Sequence, residues 1–237
     1  MVLLGTIVNG ICIIIGTLLG VFLHRIPENM KGTVMKAIGL AVVVLGLQMG
    51  LKSDNFLIVI ISLALGAAWG EWMNLEDKLN AVGIWLEKKL GSKKETSISQ
   101  GFVTATLIFV IGAMAVIGAL DSGIRGDHDV LYTKSIIDGF TSLILTTTLG
   151  IGVMFSAVPV VLYQGLIALF ATQIHQWVPQ ELMDAYIVEM TATGGIMIFA
   201  IGLNLIGITK IRVANLLPGI IVVAMVVGVI HAYHLYM

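Results

Sequence analysis

The chain has 237 residues, of which 58% are hydrophobic and only 11% charged, and its mean hydropathy is +1.02. A soluble domain carries about 25% charged residues, so this composition excludes an ordinary water-soluble fold and marks an all-α, polytopic membrane protein. Thirteen Lys and Arg against fourteen Asp and Glu leave a net charge of −1, which excludes the basic surface that nucleic acid requires; the single cysteine, Cys12, can form no internal disulfide.

A membrane span takes about 20 apolar residues. Eight such runs follow in chain order: 2–23, 34–51, 56–73, 102–120, 132–155, 158–177, 188–206 and 214–232. The first has no basic residue before it and no small-residue cleavage site, so it reads as a retained helix and not a signal peptide. Lys52-Ser53-Asp54-Asn55 closes the second span, and Pro159 falls in the first helical turn of the sixth, where proline is tolerated. Between the third and fourth spans lies the longest connection. There Leu75, Leu79, Val82, Leu86 and Leu90 recur at helical spacing beside Trp85, Lys88 and Lys89, which predicts an amphipathic helix on the membrane surface.

The basic residues orient the chain. With the N-terminus outside, the inner loops hold Arg25, Lys31, Lys36, Lys78, Lys88, Lys89, Lys93, Lys94, Lys210 and Arg212, whereas the outer loops and helix ends hold Lys52, Arg125 and Lys134. Ten against three places both termini outside and the amphipathic helix in the cytoplasm.

A repeat runs through the spans. Asn9-Gly10 recurs as Gln164-Gly165, Gly46-Leu47-Gln48 as Gly202-Leu203-Asn204, and Asn55 as Asn215. The first three spans then repeat as the last three with opposite topology, on either side of the fourth and fifth. This divides one transmembrane domain, residues 1–237, into repeat A (1–74), an amphipathic linker (75–99), a central helix pair (100–156) and repeat B (157–237). Inverted repeats of this kind commonly rock around a central site. The carboxamides obey the inversion, Asn9 lying about 10 Å from the outer end of its span and Gln164 about as far from the inner end of its own. Each also reads as ordinary interhelical hydrogen-bonding glue.

Ionisable groups inside spans are costly and are the first functional candidates. Asp138 sits six residues into the fifth span, with Lys134 one turn outward on the same face. Followed inward, that face gives Ser135, Asp138, Thr141, Ser142, Thr148, Gly152 and Ser156, with Leu145 the only apolar interruption, a stripe whose oxygens suit a cation or polar solute. The competing reading is a structural Lys134–Asp138 pair with Ser and Thr bonded back to their own helix. The expected pathway thus comprises Asp138, Thr141, Ser142, Thr148, Asn9, Gln48, Gln164 and Asn204, with Lys134 as charge partner and Asp121 and Glu189 at the outer mouth.

Other features point to structure. Arg125-Gly126-Asp127-His128-Asp129 reads as an outer polar turn, and His231 with His234 as interfacial residues. Gly16/Gly20, Gly46/Gly50 and Gly66/Gly70 form small-residue faces for close helix contact, from which a homodimer is expected. No phosphate-loop, metalloprotease or lipase signature appears, so no enzyme, cofactor or metal is expected.

The stretches 109–123 (FVIGAMAVIGALDSG), 134–139 (KSIIDG), Tyr163-Gln164-Gly165 and 202–218 (GLNLIGITKIRVANLLP) resemble the uncharacterised bacterial inner-membrane family typified by YdfK and YqgA. The resemblance covers essentially the whole chain. It implies a multi-pass protein of the bacterial plasma membrane and supplies no substrate. The residues themselves favour a secondary transporter or channel for an ion or small polar solute in the lipid bilayer. The alternative is a non-transporting assembly or sensor protein that uses the amphipathic helix as its contact surface.

Overall fold

The computed structural model describes residues 1–22, 28–90 and 98–236, excepting the side chains of residues 28, 29, 31, 90 and 234–236. Arg25, Lys93 and Lys94, counted above among the inner cations, lie outside the described residues, as do the side chains of Lys31 and His234. Every regular element among the described residues is helical: α1 (Leu4–Phe22), α2 (Glu28–Gly50), α3 (Phe56–Met73), α4 (Leu75–Leu90), α5 (Ile98–Val110), α6 (Ala113–Ile124), α7 (Asp129–Leu149), α8 (Ala157–Trp177), α9 (Gln180–Ile206) and α10 (Pro218–Tyr236), with short 3-10 segments at Gly150–Ser156 and Val213–Leu216.

Among the described residues, six helical stretches are long and apolar enough to cross a membrane. A seventh is added if α5 and α6, bent by 63° at their junction, form one broken span. One of the six is the 49-residue stretch Asp129–Trp177, which contains α7, a 3-10 segment and α8.

The sequence predicts one continuous helix over 102–120, and the structure corrects this. Gly112 adopts φ +152°, a backbone state that side chains rarely tolerate, and the helix breaks there. The predicted span 132–155 likewise ends as an α-helix at Leu149, where Gly150 takes φ +75°. Hydropathy registers neither event, because the flanking residues stay apolar. The predicted span 188–206 belongs to a longer helix that starts at Gln180. Glu181 and Asp184 in its first turns are polar enough to hide them from a hydropathy count, yet acidic groups suit a helix N-terminus. By contrast, α3 has the predicted bounds, because the Asn55 side chain caps it, accepting from the Leu57 N–H at 3.3 Å, and left-handed Asn74 ends it.

Two compact units make up the chain. The first comprises Met1–Ile38, Lys78–Val110 and Met114–Ile174. Its core includes Ile13, Phe109, Leu131, Leu145, Val153 and Val160. Here α1 meets α7 at Gly5–Leu131, Cys12–Gly139 and Gly20–Leu143, so residue numbers rise together and the helices run parallel. Against α8, α1 pairs Thr6 with Gly165 and Gly10 with Val161, so these two run antiparallel. Gly16 abuts the backbone carbonyl of Gly139 with no room for a Cβ. Small residues are what let two helices approach this closely in lipid.

The second unit comprises Gly39–Asp77, Ile111–Ala113 and His175–Met237. Val59, Met197, Ile198 and Val223 lie in its core. Within it α2 packs antiparallel on α9, with Gly46 against Phe199 and the Gly195 carbonyl, and Gly202 against Val43 and the Gly39 carbonyl. α3 packs antiparallel on α10 and the 3-10 segment before it, through Gly66–Gly219 and Gly70–Asn215. All three predicted small-residue faces are therefore spent on contacts inside the chain, and the expectation of a homodimer no longer rests on them.

α4 is the predicted amphipathic helix. Glu76 and Asp77 occupy its first turn and Lys88 and Lys89 its last, each favourable for the helix dipole. Val82, Ile84 and Trp85 are exposed, and the Lys89 ammonium lies 4.7 Å from the centroid of the Trp85 ring.

Candidate functional site

In the first unit, three helices bring four polar side chains together. α7 carries Lys134 and Asp138 one turn apart, so their side chains leave the same face. The Lys134 Nζ donates to Asp138 Oδ1 at 3.0 Å and lies 2.7 Å from Oδ2. From α1, the Asn9 Nδ2 donates to Asp138 Oδ2 at 3.0 Å and to the Gln164 Oε1 of α8 at 3.3 Å. Lys134 is 7% exposed, Asp138 4%, and Asn9 and Gln164 fully buried. A charged pair held this far from solvent is stable only while both partners stay matched.

The cluster is not saturated. Asn9 Oδ1, Gln164 Nε2 and Thr6 Oγ1 are buried with no hydrogen-bond partner among the described residues. Thr6 precedes Asn9 by three positions, so it shares that face of α1, and its methyl group faces Gly165, next to Gln164. Buried polar atoms are rarely left unpaired, and each such atom calls for an explanation. Sequence reasoning missed Thr6. The signal was present, since Thr6, Asn9, Ile13, Gly16 and Gly20 form one stripe at helical spacing, and all five are buried.

Most of the other predicted residues have partners of their own or belong to the second unit. Along this face, three of the stripe's hydroxyls bond back to the local backbone: Ser135 to the Leu131 carbonyl at 2.6 Å, Thr148 to Leu145 at 3.0 Å and Ser156 to Val153 at 2.7 Å. The Ser142 hydroxyl is buried with no partner among the described residues, and Thr141 is half-buried. Asp121 is partly exposed and lies 3.7 Å from Arg125.

Gln48 and Asn204 belong to the second unit. Gln48 is exposed on α2. Asn204 staples the loop after α9, donating to the Ile211 carbonyl at 2.7 Å and accepting from the Thr209 hydroxyl at 2.8 Å and the Ile211 N–H at 2.9 Å.

Glu189 follows the first residue of α9 by nine positions and is buried. Its carboxylate accepts from the Ser53 hydroxyl at 2.6 Å and the backbone N–H groups of Asp54 and Asn55 at 3.0 and 2.9 Å. An acid here satisfies donors at the start of α3 and complements its dipole. A second carboxylate, Glu76, does the same before α10: it accepts from the Ala214 N–H at 2.9 Å, while its own N–H donates to Asn215 Oδ1 at 2.7 Å.

Among the described residues no group of three or more His, Cys, Asp or Glu could hold a metal ion. The cluster offers instead a neutral ion pair, two carboxamides and unpaired oxygen atoms. That set can bind a small charged or polar species through oxygen ligands.

The profile of a family described as a protein of unknown function (DUF554) matches residues 4–228. The chain is 33% identical over 236 residues to the "uncharacterized membrane protein YdfK" of Bacillus subtilis (strain 168), covering 98% of both chains. It is 28% identical over 224 residues to the "uncharacterized protein YqgA" of Escherichia coli (strain K12), covering 92% of this chain and 93% of that one. No solved structure matches the chain.

Proposed function

The chain is a multi-pass membrane protein of the DUF554 family, described as of unknown function, and from its own residues we propose that it is a secondary transporter or channel for an ion or small polar solute. One observation carries this reading: the buried Lys134–Asp138–Asn9–Gln164 cluster inside apolar helices, with unpaired polar atoms around it. Intramembrane ionisable residues are retained chiefly where they serve a pathway, and packing alone requires neither a charged pair nor unpaired oxygens.

Eight crossings and an inverted repeat complete the proposal. The parallel packing of α1 on α7, against the antiparallel packing of α1 on α8, supports two crossings within Asp129–Trp177. The same parallel relation needs an odd number of crossings between α1 and α7, and α2, α3 and the bent α5–α6 pair supply three. The repeat is supported by contacts that exchange partners under the sequence offset. A shift of 155 converts the Thr6–Gly165 contact into Gly10–Val161, and a shift of 156 converts Gly46–Phe199 into Gly202–Val43. Such folds work by alternating access at the repeat interface. With both termini outside the bacterial plasma membrane, α4 lies on the cytoplasmic surface.

The test is flux in proteoliposomes, comparing the wild type with Lys134→Met/Asp138→Leu. This double substitution removes the charges while keeping the volume, so folding is retained and flux of the transported species is lost. Equal flux in the two proteins would refute the assignment.

A further inference from the structure

We propose that the Lys134 ammonium is a tethered stand-in for a small monovalent cation, so that Lys134 and such a cation compete for the carboxylate of Asp138. This deepens the transporter reading, on which its physiological meaning rests, by naming the class of substrate.

Charge balance supplies the first argument. Lys134 and Asp138 cancel, so the cluster is neutral as it stands. A cation reaching Asp138 replaces one positive charge by another and preserves that neutrality once the ammonium has swung away. A divalent ion would leave one charge uncompensated at a site with one carboxylate, and buried net charge is expensive.

Ligand chemistry supplies the second. The two oxygens of Asp138 and Oε1 of Gln164, with Oδ1 of Asn9 and Oγ1 of Thr6 buried and unpaired on the neighbouring face of α1, suit small hard cations better than anions, which need donors. Among the described residues the donors of this set without a partner are Gln164 Nε2 and the Thr6 hydroxyl, which also accepts.

The third argument concerns which partner can leave. Asp138 has a short side chain pinned by Lys134 and Asn9, whereas the lysine charge sits on a flexible four-carbon stem. The mobile member of the pair is the cation, so the vacated place is a cation site. A purely structural pair would explain the two charges but not the unpaired oxygens of Asn9 and Thr6 beside them.

The experiment uses the purified full-length chain in lipid nanodiscs. Thermal stability is titrated with LiCl, NaCl or KCl in place of N-methyl-D-glucamine chloride at constant ionic strength. A ligand that binds only the folded state raises stability with its concentration. The wild type should show a weak, cation-selective rise. Lys134→Met, which leaves the Asp138 carboxylate without its competitor, should reach half-effect at least tenfold lower concentration, and Lys134→Met/Asp138→Asn should lose the response. The proposal is overturned if all four chlorides act alike, if Lys134→Met binds no more tightly than wild type, or if the response survives Asp138→Asn.

Should Lys134→Met fail to fold in every salt, Lys134→Arg provides the same test in the opposite direction. A guanidinium grips the carboxylate bidentately, so the cation response must weaken about tenfold, and an unchanged response overturns the proposal. Liposome flux separates the two readings. Flux of an anion or neutral solute without cation-dependent stabilisation refutes the cation site and leaves the transporter standing. Cation-dependent stabilisation without flux of any tested solute does the reverse.

Discussion

Replacing Asp138 by Leu in the wild-type background tests whether the charged pair is a buried, coupled unit. The substitution strands Lys134, which is 7% exposed and now lies 2.7 and 3.0 Å from the two carboxylate oxygens, and it removes one of the two acceptors of Asn9 Nδ2. Removing one member of a buried ion pair costs about 3–5 kcal/mol, whereas an exposed pair at the same helical spacing contributes only about 0.3–0.5 kcal/mol. The tenfold gap between these values makes the outcome decisive. Lys134→Met alone should cost a similar amount. The combined Lys134→Met/Asp138→Leu protein should recover to within about 1.5 kcal/mol of wild type, the remainder reflecting the acceptor lost by Asn9. The readout is equilibrium unfolding by SDS in mixed micelles, followed by tryptophan fluorescence, with the coupling energy taken from the double-mutant cycle. Additive single effects below about 1 kcal/mol each would show the pair to be solvated and would refute the reasoning.

Three further outcomes follow. Gly16→Val drives a side chain into the Gly139 carbonyl and should cost about 1–3 kcal/mol in the same unfolding assay, whereas Gly228→Ala, with open space at its Cβ, should stay within about 0.5 kcal/mol. Glu189→Ala removes the acceptor of Ser53 and of two backbone N–H groups before α3 and should cost about 2–3 kcal/mol; Glu189→Gln, keeping one carbonyl oxygen, should cost less, and reversal of that order would discredit the capping role. Reporter fusions should place both termini on the outer side, and a cytoplasmic C-terminus would refute the eight crossings and the inverted repeat together.

What could be read in the sequence follows from what hydropathy and spacing measure. Membrane class and helix positions come from long apolar runs, and α3 was legible to the residue because Asn55 and Asn74 mark its ends. The Lys134–Asp138 pair was legible because helical spacing alone brings the two together. Asn9 and Gln164 stood out through their offset, but their hydrogen bond depends on α1 lying against α8, which no local pattern encodes. The breaks at Gly112 and Gly150 turn on single backbone angles within apolar runs rich in glycine. Asn204 stood out through its offset from Gln48, and Glu189 as an acid expected at the outer mouth. The partners that each one binds were not legible, because they depend on a loop 134–136 positions away for Glu189 and one 5–7 positions ahead for Asn204.

The bend between α5 and α6 bears on how the chain is made. α5 has 13 residues and α6 has 12, lengths of roughly 20 and 18 Å at helical rise. Each is shorter than the hydrocarbon core of about 30 Å, so neither can be released into lipid alone as a finished span. α5 is also buried on nearly all sides within its unit, where Gly101 packs against Leu149 and Gly152 against Ile98. Those partners are synthesised some fifty residues later. During synthesis α5 therefore lacks this cover until the end of α7 has been made.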